Sequence, residues 1–183
     1  IHALSEIYGK AKVDAMAERI AQINPECQVT CIEDFVNVEN LTEILHSGLN
    51  VAVDAIDQVK IKAAMIAHCR RHSIPIVVAG AAGGQIDPTQ VRIADLTQTV
   101  QDPLLARVRT ILRREYGFSR EGKKKFGIPA VFSTEPLRYP TESCDADGGP
   151  SGLNCAGFGS SVCVTSVFGM AAAAHAIELI LSG

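Results

Sequence analysis

The sequence predicts an α/β fold, a mostly parallel sheet with helices on both faces. Three observations predict it. Short apolar runs, Val51–Val53 and Ile76–Ala79, flank a segment of helical periodicity, Ile61–Cys69. The runs are apolar throughout rather than alternating, as parallel strands covered on both faces are. Gly80, Gly83 and Gly84 follow the second run directly, at the strand end where open parallel sheets bind ligands.

Each element has its own signal. Val13, Met16, Ala17, Ile20 and Ile23 recur at helical spacing, and Asn24-Pro25 stops the run. Gln28–Ile32 is predicted to be a short strand. Val38, Leu41, Ile44 and Leu45 mark a second helix ending near Gly48. Val51–Val53 is a buried strand running into Asp54-Ala55-Ile56-Asp57. Ile61, Ala64, Met65, His68 and Cys69 form the inner face of a third helix, and Pro75 opens the next strand. Gln90–Ala94 adds another strand. Asp102-Pro103 starts a helix with Leu104, Val108, Ile111 and Leu112 inside and arginines outside. Gly117–Lys125 reads as a flexible basic loop, Pro129–Ser133 as a strand, and the Gly-, Ser- and Asp-rich Thr141–Asn154 as an exposed loop. Ser161–Leu181 approaches the length of a membrane span. Thr165, Ser166, His175 and Glu178 interrupt it, so a core or dimer helix is expected instead. The expectation is one continuous domain: residues 1–100 form a Rossmann-like nucleotide-binding core, and 101–183 an extension carrying the basic segment and the apolar helix.

Composition narrows the class. A chain of 183 residues, 47% hydrophobic and 20% charged, is a soluble globular domain with an aliphatic core. Its cysteines, at 27, 31, 69, 144, 155 and 163, form no CxxC pair and fit no zinc template. No charged, apolar leader opens the sequence, so a cytoplasmic protein with reduced thiols and no membrane attachment is expected, each Cys being a small buried hydrophobe. Charge is uneven. Arg107–Lys125 holds eight basic residues and two acids, hence +6, leaving −9 elsewhere in a chain of net charge −3. Such an excess can hold phosphates, or it can be a solvated helix and loop.

Several motifs carry a resemblance. Ile1–Leu4, Gly9-Lys10-Ala11-Lys12, Met16–Ile20 and Ile23-Asn24-Pro25 are similar to the segment after the ATP loop in the adenylating superfamily of the ubiquitin-activating type. Val53-Asp54-Ala55-Ile56-Asp57 resembles its second signature. Ala82–Gln90, Gln101–Leu104, Val131–Glu135 and Cys155–Ser160 resemble the bacterial tRNA threonylcarbamoyladenosine dehydratase family. The resemblance implies ATP-dependent adenylation of the threonyl carboxylate of a modified tRNA adenosine. Cyclisation with net loss of water then releases AMP and pyrophosphate.

It also implies roles. Lys12 contacts ATP phosphates, with Lys10 as rival. Asp57, with Gln58 beside it, binds ATP and holds Mg2+; a strand-end Asp could also cap the next helix. Asp54 is the buried structural partner. Cys155 lies in a catalytic thiol region, yet an inert Cys fits equally well, since the cyclising nucleophile belongs to the substrate. Arg107, Arg113, Arg114, Lys123, Lys124 and Lys125 face tRNA. A homodimer and a sulfur-transfer protein pair are implied partners. The family's glycine loop and first strand do not precede Ile1, so the expectation is a fragment that binds ATP weakly and does not turn over alone. The alternatives are an adenylyltransferase for a small sulfur-carrier protein, which usually has CxxC pairs, and a non-catalytic dimerising fragment.

Overall fold

A computed structural model describes residues 5–122, 124–138 and 159–182. Two compact units divide the chain, Ile1–Val36 and Asn37–Gly183.

The first unit contains α1 (Lys12–Ile23), which ends at Asn24 as the Asn-Pro pair dictates. Ion pairing of Lys10 with Glu18 ties its first turns to the preceding loop. Gln28–Ile32 forms no strand, correcting the sequence expectation. A strand needs a second backbone to make a ladder, and this unit has none among its described residues. The segment's recorded tie is the Cys31 thiol, 3.6 Å from the Val13 carbonyl.

In the second unit, α2 (Leu41–Ile44) is one turn, shorter than the spacing predicts, and buries Leu41. Four strands follow: β1 (Ala52–Asp54), β2 (Ile76–Ala79), β3 (Val91–Asp95) and β4 (Pro129–Ser133). Their spatial order is β1-β2-β4-β3, with β1, β2 and β4 parallel and β3 antiparallel to β4. The register aligns Val53 with Val77, Val78 with Ala130, and Ile93 with Val131. The sheet therefore takes strands from both sides of position 100.

The two-residue period of the strands sorts the core. Val77 and Val131 point to one face and pack with Val164, Phe168, Ala172 and Ala176 of α5 (Val162–Ser182). These four recur every fourth residue, as one helix stripe must. By length and composition α5 could cross a membrane, but its buried stripe makes it the core helix of this face. Val78, Ala130 and Phe132 point to the other face and are buried. There α3 (Val59–Arg71) and α4 (Pro103–Glu115) pack on each other, and Ile66, Leu105, Val108 and Leu112 are fully buried.

The described residues of the segment after α4 form no helix or strand, as expected of a loop, and make contacts at both ends. Phe118 and Phe126 are buried edge to face at 4.9 Å, and Arg113 Nε donates to the Ser119 carbonyl. Asp95 receives the N–H groups of Phe126, Gly127 and Ile128 at 3.1, 2.7 and 3.2 Å, which fixes the entry to β4. Cys27, Cys31 and Cys163 are exposed, so the expectation of buried cysteines holds at Cys69 alone among the described residues. Burial pushes the Cys69 thiol up to about 11, leaving it unreactive at neutral pH.

Candidate functional site

The carboxyl ends of β1 and β2 open into a cavity of about 280 Å³. Asp57, Gly80, Ala81, Leu104, Leu137 and Ser160 are among its walls. This is the ligand position of open parallel sheets, and both predicted strand-end features meet here. Among the described residues the walls are mainly small and apolar, and Asp57 is the charged one.

Asp57 is exposed, and among the described residues no hydrogen bond or ion pair holds its carboxylate. The capping alternative is not realised: Gln58 takes the N-cap position of α3, with no side-chain hydrogen bond. A free carboxylate at a pocket mouth suits Mg2+, which takes one or two carboxylates and completes its shell with phosphate oxygens and water. No group of three or more His, Cys, Asp or Glu stands ready to hold a metal among the described residues. A lone carboxylate of this kind fits an ion that arrives with a nucleotide's phosphates. Gln58 is exposed beside Asp57.

Asp54 is the structural carboxylate, as predicted. It is 1% exposed and pairs with Lys62 at 2.9 Å, while its Oδ1 accepts the Ile56 N–H at 2.9 Å. Lys62 Nζ also reaches the Asp54 carbonyl at 3.3 Å. These contacts shape the turn that delivers Asp57. Burial pushes the Lys62 amine below its usual range, and Asp54, Asp102 and Asp57 pull it back. Sequence reasoning missed Lys62, although a signal was there. It shares a helix face with Ile66 and Cys69, and a charge on an apolar face needs a buried partner.

The opposite wall is built by Asp102. Its Oδ1 caps α4 at the Leu105 N–H and its Oδ2 accepts the Ala81 N–H, both at 2.9 Å. Burial pushes this carboxyl above the usual range, opposed by the N–H groups of Leu105 and Ala81 and by the Lys62 charge.

The GGQIDPTQ segment folds as a turn stapled to β4. Glu135 Oε2 accepts the Ile86 and Asp87 N–H groups at 2.9 and 2.8 Å, and its Oε1 pairs with Arg138 at 3.2 Å. These donors, the Asp87 N–H foremost, hold its carboxyl below the usual range. Gly84, at φ +72°, sits where the chain leaves and re-enters the turn. It accepts from the Arg138 N–H and donates to the Gly159 carbonyl, both at 3.0 Å. Cys155 lies outside the described residues, as does Lys123.

Lys12 is the exposed first residue of α1, in the other unit. Its rival Lys10 is occupied by Glu18, which leaves Lys12 the freer ammonium. The predicted basic residues divide. Arg107, Arg114, Lys124 and Lys125 are exposed, Arg114 beside Glu115. Arg113 lies over the Phe126 ring at 5.4 Å, and Arg109 donates to the Leu96 and Thr99 carbonyls, so both also serve the fold. Arg70 and Arg71, at the end of α3, join this group; Arg70 lies 4.5 Å over the Phe118 ring. Sequence separation hid them. The helix α4 starts at the cavity and carries its basic residues away from it, so the cluster lies at the opposite end of the sheet.

A doubly wound sheet, a small-residue cavity at its strand ends and one free carboxylate define a nucleotide-binding α/β protein. The chain belongs to the ThiF family, whose model matches residues 1–183. It is 48% identical to the tRNA threonylcarbamoyladenosine dehydratase of Haemophilus influenzae, covering 98% of this chain and 69% of that relative. It is 46% identical to the tRNA threonylcarbamoyladenosine dehydratase of Escherichia coli, covering 100% and 70%. The crystal structure of the E. coli enzyme, TcdA, in complex with ATP superposes with a TM-score of 0.87 at 46% identity, covering 100% of this chain and 68% of that one. Its AMP complex gives the same TM-score.

Proposed function

We propose that the full-length protein performs the reaction of this chain's dehydratase relatives, the ATP-dependent cyclising dehydration of N6-threonylcarbamoyladenosine in tRNA. The observation that carries this reading is identity of 46–48% with such enzymes over essentially the whole chain, together with a strand-end cavity that presents Asp57.

The chemistry needs little from side chains beyond position and charge. A carboxylate oxygen of the substrate attacks the α-phosphorus of ATP, and pyrophosphate leaves. A nucleophile of the substrate's own carbamoyl group then attacks the acyl carbon, and AMP leaves with the oxygen. Both steps are intramolecular or nearly so once the groups are held, so most of the rate comes from positioning. Asp57 would hold Mg2+, which when bound neutralises phosphate charge. Lys12 supplies a point charge to the phosphates, and Gln58 a neutral donor beside Asp57. The apolar walls around Ala81 and Leu104 exclude water, which protects an acyl adenylate from hydrolysis. Cys155 has no step to perform in this scheme. CxxC pairs are absent, which favours the dehydratase over a sulfur-carrier adenylyltransferase.

Arg107, Arg113, Arg114, Lys123, Lys124 and Lys125 are read as the tRNA surface. Met170, Ile177, Ile180 and Leu181 leave an apolar outer face on α5, which supports a homodimer. Cytoplasmic tRNA is the expected substrate pool. The test is AMP release by the full-length protein with ATP, Mg2+ and tRNA bearing the threonylcarbamoyl group. Release stimulated by this tRNA, and not by unmodified tRNA, is expected. Equal release with both would defeat the reading.

A further inference from the structure

Beneath the cavity lies a buried charge cluster that the reaction scheme leaves without a task. Asp54, Lys62 and Asp102 come from β1, α3 and the start of α4, and are 1%, 0% and 5% exposed. The Asp54–Lys62 pair accounts for the turn to Asp57. Asp102 is not accounted for by helix capping. A cap needs one acceptor, and Ser or Thr supplies it. The Asp102 carboxylate uses its second oxygen on the Ala81 N–H, a group of the cavity wall.

Two neighbours are arranged around that second contact. Gly80 has no side chain, and a Cβ there would meet Asp102 Oδ2 at 1.9 Å. Only glycine lets the wall come this close. Gln101, directly before Asp102, holds φ +54°, a left-handed conformation that a non-glycine side chain adopts at a cost. The chain is thus bent to aim Asp102 at the Gly80–Ala81 turn. Pro103 and Leu104, the next two residues, line the same cavity. The contact therefore joins two walls of one pocket.

We propose that Asp102 is a positioning residue for the nucleotide and acyl site: by clamping the Gly80–Ala81 wall to the start of α4, it sets the width of the cavity opposite Asp57. The inference rests on the cavity being that site, as read above. It acts through the backbone, without contact to the reacting atoms.

The test uses Asp102→Ser in the full-length protein. Serine keeps the cap to Leu105 and removes the acceptor for Ala81, so the unfolding midpoint should change little. Turnover at saturating ATP should fall between about tenfold and a hundredfold, the loss expected for small misplacement of reacting groups. ATP affinity by titration calorimetry should weaken severalfold. Gly80→Ala should give the same signature by pushing from the other side. The double variant should be no worse than the worse single one, because serine vacates the space the new methyl needs. Asp102→Asn, which keeps the shape but offers Ala81 a donor, is the second variant should serine fail to fold. Wild-type turnover and ATP affinity in folded Asp102→Ser would overturn the proposal. So would losses that merely track the midpoint and vanish well below it. If the wild type binds ATP but tRNA fails to stimulate AMP release, the functional reading is at fault, and the ATP titration still decides the role of Asp102.

Discussion

Two acidic residues three positions apart do opposite work because one is buried and the other is not. Asp54 faces the helical layer and needs Lys62; Asp57 faces the cavity and has no hydrogen bond or ion pair among the described residues. Removing each should fail differently. Asp57→Asn in the full-length protein should lower Mg2+-dependent AMP release at least tenfold, with the unfolding midpoint unchanged, since the charge is what a cation requires. Wild-type activity in that variant would reject the assignment. Lys62→Met instead leaves a buried, uncompensated carboxylate and should cost about 3–5 kcal/mol of stability. Denaturant unfolding reads it directly, and adding Asp54→Asn should restore a substantial part. If Lys62→Met cost under about 1 kcal/mol, the pair would not be the internal brace described.

Elements were legible in the sequence where periodicity and burial coincide. The spans of α1, α4, α5, β2 and β4 follow from apolar spacing, the Asp-Pro start and the Asn-Pro stop. The Gln28–Ile32 strand was misjudged because extended propensity does not supply a ladder partner. The contact of Asp102 with Ala81 and that of Arg70 with Phe118 were missed because the partners are distant in sequence, which a periodic pattern does not encode. Polar staples belong to the same class. Asp95 of β3 is held below the usual carboxylate range although burial raises it, because hydrogen bonds from Thr97, Phe126 and Gly127 outweigh the burial. Asp87 and Glu135 are lowered as well, chiefly by hydrogen bonds from the Thr89 side chain and the Asp87 N–H respectively. A carboxyl depressed in the folded state binds protons more readily when unfolded. Its contribution is present above the unfolded value of about 4 and is lost as pH falls through the lower folded value. Stability should therefore decline as pH drops below about 4, and Asp95→Asn should flatten part of that decline. Urea midpoints between neutral and acid pH measure both. An unchanged acid slope in Asp95→Asn would remove this residue from the account.

Across the whole molecule, charge and cavity lie at opposite ends of the sheet. The chain is net negative, yet Arg70, Arg71, Arg107, Arg114, Lys124 and Lys125 are exposed, against Glu115 and Glu121 as the acids of the Arg107–Lys125 run. The helix α4 has 13 residues, and at about 1.5 Å per residue it separates the two ends by roughly 20 Å. A modified base in the cavity would leave its polynucleotide backbone free to follow α4 toward this pole, with Arg107 and Arg114 two helical turns apart on the way. Such a footprint governs affinity for tRNA and not for ATP. Neutralising Lys123, Lys124 and Lys125 to Gln should raise the KM for tRNA and leave ATP affinity by calorimetry as it was. Each lost phosphate contact should also reduce the slope of log K against log salt by about 0.7–0.9. Arg70→Gln with Arg71→Gln should act in the same direction if the pole is one surface, although these residues lie on a different helix. A tRNA affinity and salt slope unchanged in both sets would place the polynucleotide elsewhere and leave the basic run as a solvated face. A fall in ATP affinity instead would mean that the pole acts through the fold, since Arg70, Arg71, Lys124 and Lys125 do not line the cavity.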